Sequence, residues 1–243
     1  MTPHLETQSD GESVPQKSVV GPITGDAALN EDGALGRLKQ GDLSDEEIAR
    51  FVCDEALMKS RKVRIAVASH PRTPRRISLR LIRECFTFEL VRFAMTPAIP
   101  ADLRRVADEV LLSRLTSISL GERISLARRS SPLVVSGLLL DKEKAVWQAA
   151  LDNPRLTEAA VVKAIQRHIC APALVGAICH HAKWSARLEI REALLRSPHT
   201  PFARAIEFAQ PIPPRTLRDI LHTSRLPERT KEYLRKSFEP KRK

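Results

Sequence analysis

The amino-acid sequence predicts an all-α protein assembled from many short helices. Six of its nine glycines lie within residues 1–41, so the rest of the chain has only three. Tight hairpin turns commonly need glycine for positive φ angles, and a sheet is therefore not expected after residue 41. Proline gives the second observation, because helical patterns stop at Pro71, Pro154 and Pro198 and resume a few residues later.

The segments around these three prolines share one register, with spacings of 83 and 44 residues. The residue before proline is pushed out of the α region, which predicts helix ends at His70, Asn153 and Ser197. Thr73 and Thr200 precede a second proline and are expected to cap the next helix; Thr157 is expected to cap it at the middle copy. The apolar positions that coincide are Val63, Val146 and Ile190; Ala66, Ala149 and Ala193; Val67, Ala150 and Leu194; and Leu79, Val162 and Ile206.

Helices of this length are marginal in water when isolated, so each must bury an apolar side against its neighbours. Stacked in order along the chain, they predict a right-handed α-solenoid, curved and with one concave face. The stretches "VRIAVASHPRTP", "VWQAALDNPRLT" and "IREALLRSPHTP" resemble HEAT-like repeats, and more narrowly the leucine-rich-repeat-variant type. This resemblance implies a right-handed superhelical solenoid of HEAT-like helix pairs that offers a binding surface; it implies no shared reaction.

Charge and composition divide the chain into three predicted parts. Residues 1–60 carry a net charge of −7 and residues 61–243 a net charge of +18. Residues 1–41 are rich in Gly, Ser, Pro and acids and are expected to be a disordered acidic leader. Residues 42–238 are the predicted helical repeat domain, opening on a capping box of Ser44 and Glu47, and residues 239–243 are a basic tail.

Arginine dominates the basic part, with 28 arginines against 12 lysines in the whole chain. Arginine forks bind phosphate or carboxylate in a bidentate manner, so a ridge of them on one edge of a solenoid would bind nucleic acid. A solvated surface and occupation by the chain's own acidic leader are the alternatives. The candidate polyanion-binding residues are Arg72, Arg75, Arg76, Arg104, Arg105, Arg128, Arg129 and Arg155.

Trp147 is a further candidate, for contact with a partner, because its register position coincides with Arg64 and Arg191 and so suggests exposure. Trp147 and the nearby Asp152 also raise the alternative of a HEAT-like DNA glycosylase, which uses such residues on a concave face. A zinc site is a weaker alternative, since its potential ligands lack the spacing of a zinc finger. Those potential ligands are His168, Cys170, Cys179, His180 and His181.

Taken together, the sequence predicts a non-enzymatic repeat scaffold that binds a protein or another extended partner and needs no cofactor. The alternative is a nucleic-acid-binding protein that uses the arginines near the helix ends. After residue 41 no glycine-rich phosphate loop occurs, which disfavours a nucleotide-dependent enzyme. Few, irregularly spaced cysteines and no long apolar run predict a cytoplasmic protein with reduced thiols and no membrane association.

Overall fold

The computed structural model describes residues 30–167 and 169–238, and all regular secondary structure in them is α-helical. The all-α prediction is therefore confirmed for this part of the chain. The seventeen helices are α1 (Glu31–Leu38), α2 (Asp45–Cys53), α3 (Glu55–Lys59), α4 (Arg61–Ser69), α5 (Arg75–Glu84), α6 (Thr87–Met95), α7 (Ala101–Arg114), α8 (Leu120–Arg129), α9 (Pro132–Leu138), α10 (Lys144–Leu151), α11 (Glu158–Gln166), α12 (Pro172–His180), α13 (Ala182–Ser185), α14 (Leu188–Arg196), α15 (Phe202–Ala209), α16 (Pro214–Thr223) and α17 (Glu228–Phe238). Among the described helices, not one combines the length and the apolar character needed to cross a bilayer.

Helix α1 corrects the predicted domain boundary, because it lies inside the segment expected to be disordered. Its residues Ala34 and Leu38 are buried one turn apart, and the helix packs on α4. The neighbouring glycines concealed this short apolar stripe in the composition of the segment. The rest of the predicted leader, residues 1–29, and the predicted basic tail lie outside the described residues.

The proline-marked segments interrupt helices where the sequence predicts. Helices α4 and α14 end one residue before the residue that precedes proline, and α10 ends two residues before it. Thr157 caps α11 by accepting a hydrogen bond from the Ala160 amide at 3.3 Å, as expected. The predicted capping box at the start of α2 is also confirmed, since Ser44 Oγ accepts from the Glu47 amide at 3.2 Å.

The expectation that Thr73 and Thr200 cap the following helices is wrong. Proline itself occupies the N-cap positions of α5 and α15, so each threonine lies one residue too early to reach the free amides. The hydroxyls donate instead to the preceding helix, Thr73 to the Val67 carbonyl and Thr200 to the Leu194 carbonyl, both at 2.6 Å. Each carbonyl also accepts the amide of the C-cap residue, His70 or Ser197, so the threonine hydroxyl is its second donor.

Equivalent positions in the three copies are buried alike. Val63, Val146 and Ile190 are fully buried. The aligned Val67, Ala150 and Leu194 are fully buried as well, whereas Leu79, Val162 and Ile206 are all half-buried. The predicted register of the helix pairs thus describes the packing of the core.

Helices pack mainly on their close neighbours along the chain. In the described residues, the pairs with extensive contacts join helices at most three positions apart. One continuous series of contacts runs through α4, α5, α7, α9, α11, α14 and α16, and a second joins α8, α10 and α12. In the described residues, the core therefore consists of contacts between helices that are close in the sequence, rather than of contacts between the two ends of the chain.

The segments that join two helices are here called corners. Polar side chains in several corners form hydrogen bonds with the end of a helix that lies earlier in the chain. Asn153 accepts a hydrogen bond from the Arg155 amide at 2.8 Å and donates through Nδ2 to the Ala127 carbonyl at 2.7 Å. Ser224 accepts from the Leu226 amide at 3.1 Å and donates to the Leu195 carbonyl at 2.6 Å. Both side chains are buried, so each bond satisfies groups that water does not reach.

His70 forms the same kind of link at the corner between α4 and α5. His70 Nδ1 accepts from the Arg72 amide at 3.3 Å, which leaves the proton on Nε2. Nε2 lies 3.3 Å from the Gln40 carbonyl and donates to it. Asn153, Ser224 and His70 therefore play one role with three different side chains, which explains why no single residue type marks the corners in the sequence.

Candidate functional site

Three of the eight candidate arginines contact groups of the chain, and a fourth is half-buried. Arg75 pairs with Asp102, Arg105 Nε lies 3.5 Å from Glu109 Oε1, Arg72 Nη1 donates to the Leu43 carbonyl at 3.2 Å, and Arg104 is half-buried on α7. Carboxylates or carbonyls of the chain already satisfy most of these guanidinium groups. They do not form part of a continuous exposed ridge.

The other four candidates are exposed and have no carboxylate partner among the described residues. Arg128 and Arg129 end α8, and Arg155 lies at the corner between α10 and α11. The bond from Asn153 to Ala127 joins that corner to the end of α8. Arg76 lies elsewhere, in a groove of about 850 Å³ along α5 that Arg80 and Arg83 also line. The structure thus brings Arg128, Arg129 and Arg155 together and leaves Arg76 separate.

The expectation that Trp147 is exposed for a partner is wrong. Its side chain is only 3% exposed, on helix α10, which packs against α8, α9 and α12. Arg64 and Arg191, whose register position suggested exposure, are themselves half-buried, so this position faces a neighbouring helix in all three copies. Asp152 is exposed, but its carboxylate lies 3.2 Å from His181 Nε2. The tryptophan and aspartate therefore do not form an accessible pair of the glycosylase kind.

The cysteines and histidines of the proposed zinc cluster serve the packing of α12 and its neighbours. Burial raises the pKa of the Cys179 thiol to about 11, and burial also raises the pKa of Cys170. His180 Nδ1 bonds the Gly176 carbonyl at 2.8 Å, within its own helix. In residues 30–167 and 169–238, no three His, Cys, Asp or Glu side chains are grouped as metal ligands, and His168 is not described.

A cleft of about 340 Å³ at the C-terminal ends of α11, α14 and α16 is lined by cationic side chains from three different helix ends. Arg167, Arg196 and Arg225 line this arginine cleft. They are spaced 29 residues apart: Arg196 is the last residue of α14, Arg167 directly follows α11, and Arg225 lies two residues after the end of α16. The other residues lining the cleft are Ile165, Gln166, Cys170, Ala193, Ser197, Pro198, His199 and Thr223.

Backbone hydrogen bonds fix the spacing between two of these arginines. The Arg225 amide donates to the Arg196 carbonyl at 3.1 Å, next to the bond from Ser224 to Leu195. Arg167 is the C-cap of α11, and α11 packs directly on α14. The three residues therefore lie near the C-terminal ends of consecutive helices in one packed series, and all three line the same cleft.

The electrostatics of the arginine cleft favour an anion. Among the described residues no Asp or Glu lines it, and Glu192 Oε2 lies 3.6 Å from Arg196 Nη1. Arginine at a helix C-terminus is favoured by the helix dipole alone, so its presence at one helix end carries no functional meaning. Convergence of several arginines on one cleft is a separate observation, because a phosphate or carboxylate bound there would interact favourably with each of them.

An apolar cleft, also of about 340 Å³, lies beside the arginine cleft between α7, α9 and α11. Leu112, Leu133 and Leu140 line it, and Leu133 is 42% exposed. Arg167 borders both clefts. Together they offer one surface that has an apolar part next to a cationic part.

The sequence contains a signal for this site that proline alignment does not detect. Proline-marked copies are 83 and 44 residues apart, whereas the arginines repeat at 29 residues. Contacts between units also cluster near this shorter spacing, as in Arg72 to Leu43 and Arg114 to Cys85. A search for polar residues at a constant interval, rather than for helix-stopping prolines, would have aligned the three arginines.

Comparisons with protein-family models, curated proteins and solved structures found no match to this chain.

Proposed function

We propose that this protein is a non-enzymatic scaffold, an α-solenoid of HEAT-like helix pairs that binds a protein partner through the apolar and arginine clefts. The observation that carries the proposal is the position of Arg167 at the border of both clefts. Protein interfaces combine an apolar core with arginine and polar groups at its margin, and this surface has that composition. Helix packing between close neighbours supports the solenoid, since repeat proteins bury their core unit by unit.

Several reactive side chains that the structure describes are committed to the fold, which supports a binding role. Burial raises the pKa of both Cys85 and Cys179 to about 11, far from the range of a nucleophilic thiolate. His70 and His181 use both ring nitrogens in corner hydrogen bonds. All four cysteines are unbridged, in keeping with the reducing cytoplasm that the sequence suggests.

Affinity capture with variants of the full chain tests the proposal. Captured partners are compared between the unmodified protein, a cleft variant that combines Arg167→Gln with Leu133→Ser, and a control variant, Arg76→Gln. The proposal expects a nuclease-resistant protein partner that the cleft variant loses and the control keeps. A partner set that is unchanged by the cleft variant would contradict it.

Nucleic-acid binding is the second candidate. It is favoured by the exposure of Arg128 and Arg129 at the end of α8 and of Arg155 at the corner joined to it, because none of the three has a carboxylate partner among the described residues. Each phosphate contact releases counterions and steepens the dependence of affinity on salt. Replacing all three by glutamine should lower the slope of log K against log salt by about 3 for duplex DNA. An unchanged slope would exclude these arginines as the phosphate contacts.

A further inference from the structure

We propose that the arginine cleft binds the phosphate of a phosphorylated serine or threonine in a partner peptide, while an aliphatic side chain of the same peptide enters the apolar cleft. This inference rests on the scaffold function proposed above and names the chemistry of its ligand.

The cationic groups of the cleft match a phosphomonoester. A phosphorylated side chain carries close to two negative charges at neutral pH and three acceptor oxygens. Arg167, Arg196 and Arg225 approach from three different helix ends, so their forks reach an anion from several sides. Arginine binds phosphate oxygens in a bidentate manner, and the hydroxyl-bearing Ser197 also lies at the cleft wall.

The arginine series is short, which favours a discrete anion over a long polyanion. The position 29 residues before Arg167 is Leu138, a fully buried apolar side chain. A nucleic-acid groove would continue along the backbone and would present aromatic rings for base stacking. Apart from the imidazole of His199, the described residues that line this cleft include no aromatic ring.

The apolar cleft next to the arginines favours a peptide specifically. Leu112, Leu133 and Leu140 offer an aliphatic surface that Arg167 joins to the anion site. A peptide can place an aliphatic side chain and a phosphorylated side chain within a few residues of each other. A nucleic-acid strand offers little aliphatic surface for that cleft, because its sugars and bases are polar or aromatic apart from the methyl group of thymine.

A peptide-library experiment tests the proposal on the full chain. Immobilised protein is exposed to peptides with a central phosphoserine and randomised flanking positions, and in parallel to matched libraries with serine or glutamate at the centre. We expect retention of the phosphoserine library at least about tenfold above the serine library, the gain of a charge-assisted contact. We also expect enrichment of leucine, isoleucine or valine at one fixed distance from the phosphoserine. Equal retention of the phosphoserine and serine libraries would overturn the proposal.

Variants then assign the binding to the clefts, with the enriched peptide as the probe in fluorescence anisotropy. Arg167→Gln and Arg196→Gln should each weaken binding by about tenfold or more, and Arg196→Lys should weaken it less because it keeps the charge. Arg129→Gln is the matched control, since it removes an exposed arginine outside the cleft and should leave affinity unchanged. Loss of binding in the control to the same degree would overturn the assignment.

The occupant of each cleft is tested separately. Leu133→Ser should reduce the preference for an aliphatic side chain while phosphate recognition persists; an unchanged preference would overturn the role of the apolar cleft. Tighter binding of an oligothymidylate than of the phosphopeptide would overturn the choice of a peptide in favour of nucleic acid. If capture of a partner depends on the clefts yet phosphatase treatment of that partner has no effect, the scaffold function stands and only the phosphate inference fails.

Discussion

Replacing Asn153 by alanine should remove the link between α10 and α8 and destabilise the protein strongly. Asn153 is 1% exposed, and its Nδ2 donates to the Ala127 carbonyl at 2.7 Å within a buried region. Leaving a buried carbonyl without its donor costs about 1–3 kcal/mol, and loss of the bond from the Arg155 amide adds about 1 kcal/mol. We expect Asn153→Ala to lower the free energy of unfolding by about 2–4 kcal/mol, a large share of the usual 5–15 kcal/mol for a domain.

Urea unfolding followed by tryptophan fluorescence measures this change directly. Trp147 and Trp184 are the chain's two tryptophans, both are buried, and Trp184 Nε1 donates to the Leu151 carbonyl two residues before Asn153. Gln148→Ala is the matched control, because it is exposed on the same helix and should change stability by less than about 0.5 kcal/mol.

Two further substitutions separate the donor from the acceptor. Asn153→Asp keeps the acceptor for the Arg155 amide but removes the donor, so it should destabilise at least as much as alanine. Asn153→Ser keeps a hydroxyl of the kind that Ser224 uses at its own corner, so its loss should be smaller. An alanine variant within about 0.5 kcal/mol of the unmodified protein, or an aspartate variant of full stability, would refute the reasoning.

Three other predictions follow from burial and hydrogen bonding. Iodoacetamide should label only Cys53 in the native protein at neutral pH and all four thiols after denaturation, as measured by mass spectrometry. Rapid labelling of a second cysteine in the native protein would contradict the packing. Burial raises the pKa of Asp108, so the folded state holds that proton more tightly than the unfolded state, and the carboxyl destabilises increasingly as pH rises from the ordinary value through the raised one. Asp108→Asn should therefore raise the urea midpoint at neutral pH and change it little in strong acid; the reverse pH trend would disprove this account. Thr73→Val and Thr200→Val should each cost about 1 kcal/mol in unfolding free energy, because each removes one buried hydrogen bond at the same register, and a cost confined to one of them would show that the two corners are not equivalent.

Local chain signals predicted the helical class and many helix ends correctly. Proline acts on the residue beside it, so the interruptions near Pro71, Pro154 and Pro198 followed from backbone sterics alone. The capping box at Ser44 was equally local, since donor and acceptor lie within one turn. Such signals depend on neighbours in sequence, and the sequence displays those neighbours directly.

Non-local contacts account for what the sequence did not predict. Trp147 seemed exposed because its aligned positions hold arginines, yet arginine can bury its stem beside a neighbouring helix, so residue type was a poor guide to the face. The arginine cleft depends on how α11, α14 and α16 stack, and that stacking follows a 29-residue step that proline spacing does not reveal. Ion pairs such as Arg75 with Asp102 likewise join different helices, so the availability of a candidate arginine could not be read from its own surroundings in the sequence.

The direction of the corner hydrogen bonds has a consequence for how the chain acquires its structure during synthesis. His70, Asn153 and Ser224 each donate to a carbonyl that lies 26 to 30 residues nearer the N-terminus. On the ribosome, every acceptor has therefore emerged before the side chain that will bind it, and each new helix meets a finished template. Growth of the fold can keep pace with translation from the first helices onward, and no early segment has to wait for the last residues before it finds its partner.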